Sequence, residues 1–269
     1  MSRKMNLVSV LAALLAFSNL ARGQQTLPLN TGYDHSVPGP YATVLTATST
    51  RQDMYWINLQ SYPGTTPATD PSWVLKQTPP WGPAMSNSFG VSSWIGARNT
   101  VAGGGSTSDN PGYTIFRKCY CLLPGFNQAS LSFKVLADDK ATFWFNTITN
   151  PLGTVSGNLA GPPFSGSTTN QNYFHAGRNC FYVLLEDQGG YMGFDLTGEI
   201  RANGLLPTVG RWNGKDISFE PCPCSSGHGP AGNLKSANIT AQAAENDQQV
   251  INEIVKFAEA RRAAKQKLR

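Results

Sequence analysis

The 269-residue sequence predicts an all-β domain of the sandwich or barrel type, followed by a C-terminal amphipathic α-helix. Three observations lead there. Charged residues make up only 14% of the chain, while 27 glycines and 18 prolines punctuate it, a composition suited to many turns. Short runs of apolar and aromatic residues recur between clusters of Gly, Pro, Ser, Thr and Asn, the pattern of strands joined by loops. Residues 239–269 contain neither Gly nor Pro and carry apolar residues at helical spacing.

The chain begins with the order of a secretory signal. Arg3 and Lys4 precede an apolar run from Leu7 to Phe17, and small residues follow at Ala21 and Gly23. Residues 1–23 are therefore expected to be a cleaved signal peptide, and the run is short for a membrane span. Export places the five cysteines, Cys119, Cys121, Cys180, Cys222 and Cys224, in an oxidising compartment where disulfides are the default. Five is an odd number, so one thiol stays free or pairs with another chain.

The sandwich is expected over residues 24–204. Its strand candidates are 42–48, 53–59, 113–123, 129–137, 140–146, 179–187 and 193–202, separated by turns such as "PGF", "AGRN" and "DQGGY". Several short strands at this spacing indicate a sandwich or barrel. Because strand side chains alternate between faces, Phe116, Tyr120 and Leu122 share one face with Lys118, while Arg117, Cys119 and Cys121 take the other. Likewise Phe181, Val183 and Leu185 oppose Cys180, Tyr182 and Leu184. If the phenylalanines mark the core, the three cysteines point outward, where they can meet each other or the "CPC" segment.

Residues 205–238 form a Gly/Pro/Cys-rich linker, and 239–269 the helix. Val250, Ile251, Ile254, Val255 and Ala258 make its stripe, with Lys and Arg gathered near the C-terminal end. Such a helix docks on its own domain, joins subunits, or lies on a membrane surface. The net charge of +5 arises largely from the two termini, so the main domain is near neutral and nucleic acid is not its expected partner.

The stretches "SSWIGARN", "PGYTIFRKCYCLLPGFNQASLSFKVLADDKATFWFN" and "FHAGRNCFYVLLEDQGGYMGFDLTGEI" resemble the galactose-binding-like jelly-roll module of bacterial secreted and surface proteins, including those with PEP-CTERM tails. The resemblance covers about 110 residues. It implies a jelly-roll β-sandwich and a loop-to-strand corner at the "DD" pair. Two departures stand out. Thr147 follows Asn146 where the family often has glycine, and the chain ends in a charged helix instead of a PEP-CTERM tail.

Asp138 and Asp139 are the most conspicuous acids. Neighbours on a regular strand point to opposite faces, so they read first as turn formers, then as a calcium-assisting loop, and last as catalytic groups beside Glu186. Trp144 and Tyr182 lie opposite the core phenylalanines. With the loop residue Trp94 they form the ligand-binding candidates, because an outward ring can stack on a sugar. The competing expectation is that the C-terminal segment covers them. Trp73 and Trp81 could equally line a site or plug the sandwich end. His35, His175 and His228 occupy separate loops, and no H-E-x-x-H or G-x-S-x-G motif is present. The Cys and His residues around "CPC" suit zinc by ligand type but lack C-x-x-C spacing. Asn238 begins a glycosylation sequon that is irrelevant in a bacterial protein.

The sequence therefore predicts a secreted, extracellular or cell-surface, non-enzymatic binding module for a glycan or another surface component. No cofactor is expected other than calcium. The alternative is a structural protein of the cell envelope or extracellular matrix, assembled as a homo-oligomer or with a partner through the helix or the cysteines.

Overall fold

The computed structural model describes residues 24–32, 52–62, 70–74, 89, 91–97, 107–108, 112–157, 162–187, 190–206 and 236–267. The signal-peptide expectation, the strand candidate at 42–48, His35, Trp81, His228, Cys222, Cys224 and most of the linker lie outside them, as do the side chains of Trp73 and Asn238.

The described strands are β1 (Gln25–Pro28), β2 (Gln52–Tyr62), β3 (Asp70–Val74), β4 (Ile95–Gly96), β5 (Thr107–Ser108), β6 (Tyr113–Phe145), β7 (Gly153–Gly157), β8 (Phe164–Thr168), β9 (Gly177–Glu186), β10 (Gly190–Tyr191) and β11 (Gly193–Leu206). A 3₁₀ turn, Gln171–Tyr173, precedes β9, and the helix α1 spans Ser236–Gln266. Among the described residues strand predominates, followed by a C-terminal helix, as the alternation and the glycine-free tail predict.

One strand organises the fold. The candidates at 113–123, 129–137 and 140–146 are three limbs of β6, a single 33-residue strand. Residues 113–122 pair antiparallel with β9 on one edge and, through 113–117, with β2 on the other. Residues 130–138 cross to a second layer, between β11 and β8. Residues 139–145 then return to the first layer, on the far edge of β9, with β7 outside them. Gly125 and Gln128 turn the chain between the first two limbs with φ of 79° and 53°, values glycine adopts freely. The layers are thus β3–β2–β6–β9–β6–β7 and β1–β11–β6–β8, and β4 links β3 to β11.

The interior follows the period-two reading. Phe116, Tyr120, Leu122, Phe143, Phe145, Phe181, Val183 and Leu185 share one core with Phe133, Phe194 and Trp56. Its rings meet mostly edge to face, as at Phe133–Phe181 (5.0 Å, 77°) and Trp56–Phe194 (5.3 Å, 80°). Lys118 belongs to this face and is buried. Its Nζ donates to the Asn30 carbonyl at 3.2 Å and lies over the Tyr55 and Trp56 rings. Asp53, fully buried nearby, accepts from the backbone N–H of Gly32 (2.6 Å) and Tyr55 (3.0 Å). Burial depresses the Lys118 amine to about 8, against a smaller opposing pull from Asp53.

The opposite face of the first layer is also covered. Ile251, Ile254 and Ala258 of α1 pack on Ile57, Leu59, Tyr113, Ile115, Trp144, Tyr182 and Leu184. The stripe therefore seats the helix on its own domain, and Gln248, Asn252, Lys256 and Glu259 face solvent.

Candidate functional site

The aromatic candidates come first. Trp144 is 1% exposed, Tyr182 4% and Trp94 0%. Helix α1 covers the first two, and Trp94 is buried beside β4, so none presents a ring face for stacking. The expected ligand-binding trio gives way to packing, because removing this much aromatic surface from water outweighs leaving it open.

The cysteines divide as their faces imply. Cys119 and Cys180 are direct register partners on β6 and β9 and form a disulfide with an S–S distance of 2.01 Å. Cys121 is disulfide-bonded as well. His175 is exposed at the edge of a loop network centred on Asn146. With φ of 59°, Asn146 occupies the left-handed region that asparagine tolerates. Its side chain donates to the Tyr173 carbonyl (2.7 Å) and Asn179 Oδ1 (2.7 Å), and accepts from the Cys180 N–H (2.7 Å). Asn146 and Asn179 thereby pin the loop before β9, which is a structural task. Although the residue as a whole is exposed, partial desolvation of its ring against the loop moves the His175 imidazole below its ordinary value.

The acids at the sheet crossing are different. Asp138 ends the limb paired with β11, opposite Gly193, and Asp139 begins the limb paired with β7, opposite Gly157. The peptide between them is cis. The corner implied by the family resemblance is thus the point where β6 changes layers. The strand rule that separates neighbouring side chains does not apply here, because β6 changes layers between the two residues. Their carboxyl groups are in hydrogen-bond contact, and Asp138 is 8% exposed.

Asp187, which follows β9, is buried nearby. Its N–H donates to the Gly112 carbonyl (2.9 Å), and its own carbonyl accepts from the Gly112 N–H (3.2 Å). Burial pushes the Asp138 carboxyl up to about 7; the charge and hydrogen bond of Asp139 add to this, and the charge of Asp187 adds further. Asp187 was not singled out in the sequence, although "ED" closing β9 is an acidic strand end like "DD" in β6. Glu186 is engaged elsewhere, in an ion pair with Arg261 at 2.8 Å. Among the described residues, no group of three or more His, Cys, Asp or Glu side chains is arranged as a ready metal cage.

No family model matches the chain, and no curated protein matches it. Solved structures similar to it include the PA14 domain of the MpAFP antifreeze protein, 26% identical, with a TM-score of 0.25 over 38% of this chain and 47% of that one. A PA14 sugar-binding domain from an RTX adhesin is 22% identical, with a TM-score of 0.24 over 35% and 48%. This chain matches about half the length of each. Both are described as PA14 domains and not as the PEP-CTERM-type module.

Proposed function

We propose that the protein is a secreted, non-enzymatic β-sandwich that binds a glycan or another cell-surface component through the acidic corner at Asp138 and Asp139. The observation that carries this reading is the buried Asp138 carboxyl set against that of Asp139, with Asp187 buried nearby: burial first, and then the neighbouring acids, raise Asp138 to about 7. Acids forced together in this way are relieved by a proton or by a hard cation. Calcium takes roughly six to eight oxygen ligands, carboxylates prominent among them. Asp138 and Asp139 would hold it directly, and Asp187 would add negative charge from behind.

Two carboxylates leave several coordination positions for other oxygens, and the paired hydroxyls of a sugar are ligands of that kind. Bound calcium would neutralise the corner and anchor those hydroxyls. The arrangement is unsuited to glycoside hydrolysis, which places its two carboxyls about 5–9.5 Å apart across the bond, whereas these are in hydrogen-bond contact. The buried disulfide Cys119–Cys180 supports an oxidising, extracellular setting. No helix among the described residues is long and apolar enough to cross a membrane.

Calorimetry of the chain after EDTA treatment, followed by CaCl₂ addition, tests the cation. A glycan array run in calcium and in EDTA tests the ligand. Calcium uptake and calcium-dependent glycan retention, both lost in Asp138→Asn and Asp139→Asn and both kept in Trp144→Phe, are the expected results. A chain that takes up no calcium and retains no glycan in either buffer defeats the proposal.

A further inference from the structure

We infer that α1 is a positioning element of the acidic corner, acting through Arg261. The inference rests on the reading of the corner as a binding site. Its acids sit on two paired strand ends: Asp138 and Asp139 lead into residues 140–145 of β6, and Asp187 follows Glu186 at the end of β9. These ends are register partners at Lys140–Glu186 and Thr142–Leu184. Arg261 Nη1 donates to Glu186 Oε2 at 2.8 Å and to Thr142 Oγ1 at 3.0 Å. One guanidinium nitrogen therefore ties the two strands together, one residue from Asp187 on β9 and three from Asp139 on β6.

The tie is anchored at both of its ends. The Arg261 guanidinium stacks over Phe257 at 4.6 Å, and Phe257 stands against Trp144. Arg262, the next residue, lies over Tyr62 at 4.2 Å. On the sheet side, the Thr142 hydroxyl also shares a hydrogen bond with Thr154 Oγ1 of β7 at 3.2 Å. The Glu186 side chain is 14% exposed and that of Arg261 31%, so the ion pair is partly shielded from the screening that weakens surface pairs.

A site built from acids on separate strands needs those strands held at a set spacing. Binding a cation draws the shared proton off Asp138 and concentrates charge at these strand ends, and a cation fits well when its ligands are held in place beforehand. Arg261 supplies that restraint without touching the corner acids, in the way that outer contacts orient metal ligands.

The test uses the full chain carrying Arg261→Ala or Arg261→Lys, with amide hydrogen exchange read without calcium and calcium affinity read by calorimetry. The expected result for Arg261→Ala is faster exchange confined to residues 139–142 and 186–187, with the 131–136 and 194–200 pairing unchanged. Calcium binding should weaken on the order of tenfold, and Arg261→Lys should recover part of both. Equal calcium affinity in the variant and the unaltered chain overturns the inference and leaves the corner reading intact. If the unaltered chain binds no calcium, the corner reading fails. The exchange pattern then decides alone: local acceleration upholds Arg261 as the tie, and uniform or absent acceleration removes it.

Discussion

Phe257 of α1 stands edge-on to Trp144 of β6, with ring centroids 5.4 Å apart and an interplanar angle of 89°. This contact decides the character of the outer sheet face. It turns an aromatic surface that could stack on a sugar into a second core, shared between the sheet and the helix. Trp144→Ala should therefore destabilise the fold by about 3–5 kcal/mol, the usual range for a buried aromatic. Phe257→Ala should cost less, because its ring is only partly buried, and should expose Trp144 to iodide quenching. Denaturant melts and quenching constants check both.

Lys118 makes stability rise with pH over one window. Its amine titrates near 8 in the folded protein and near 10.5 when free, so the folded state resists the proton. The resulting penalty is fully present below about pH 8 and is relieved as the pH rises from 8 to 10.5. A shift of this size corresponds to at most about 3 kcal/mol. Lys118→Met removes this dependence. The stability difference between the unaltered chain and the variant, followed by denaturant melts from pH 7.5 to 10.5, should move in favour of the unaltered chain. A constant difference across that range contradicts the assignment.

Asp138 acts over a lower window. Its folded value of about 7 lies above its ordinary 3.8, so the folded state holds the proton more tightly than the unfolded chain. Its contribution is fully present below about pH 4 and is lost as the pH rises through 7. In EDTA, the unaltered chain should lose stability relative to Asp138→Asn across that interval. Saturating calcium should flatten the loss. Thermal melts at pH 4.5, 6 and 7.5 with each additive read the effect directly.

The Cys119–Cys180 bridge closes a sequence separation of 61 residues and lies in the apolar layer beneath α1. Replacing both cysteines by alanine should lower stability by about 2–5 kcal/mol. Because the bridge joins two strands already paired along their length, the variant should keep its strand content by circular dichroism while its unfolding midpoint in urea falls.

The fold was largely readable because its cues are local. Alternation along 113–123, 140–146 and 179–187 placed each side chain on its correct face, including Lys118 among the core residues and Cys119 and Cys180 on the other side. The short strands β1, β3, β4, β7 and β8 escaped notice. They are few in residues, are rich in polar or small side chains in β7 and β8, and exist because a neighbouring strand supplies hydrogen bonds. The continuity of β6 was hidden for a related reason. Its turns at 123–129 and 138–139 look like strand breaks, yet β6 keeps its extended course and takes up new partners on the other layer.

The candidate site was half legible. Asp138 and Asp139 stood out as adjacent acids entering an aromatic strand, and the family resemblance marked the corner. Asp187 and Arg261 carried no such signal, since one ends a strand and the other resembles any base near a helix C-terminus. By itself the sequence determined which residues face which way, where the helix lies, and which cysteines share a surface, because these follow from period and composition within a few residues. Tertiary structure alone decided that the outer face is covered, that Asp138, Asp139 and Asp187 come close together, and that Arg261 bridges the neighbouring Glu186 and Thr142. Those facts depend on side chains far apart in the chain, whose meeting is set by how the layers and the helix pack.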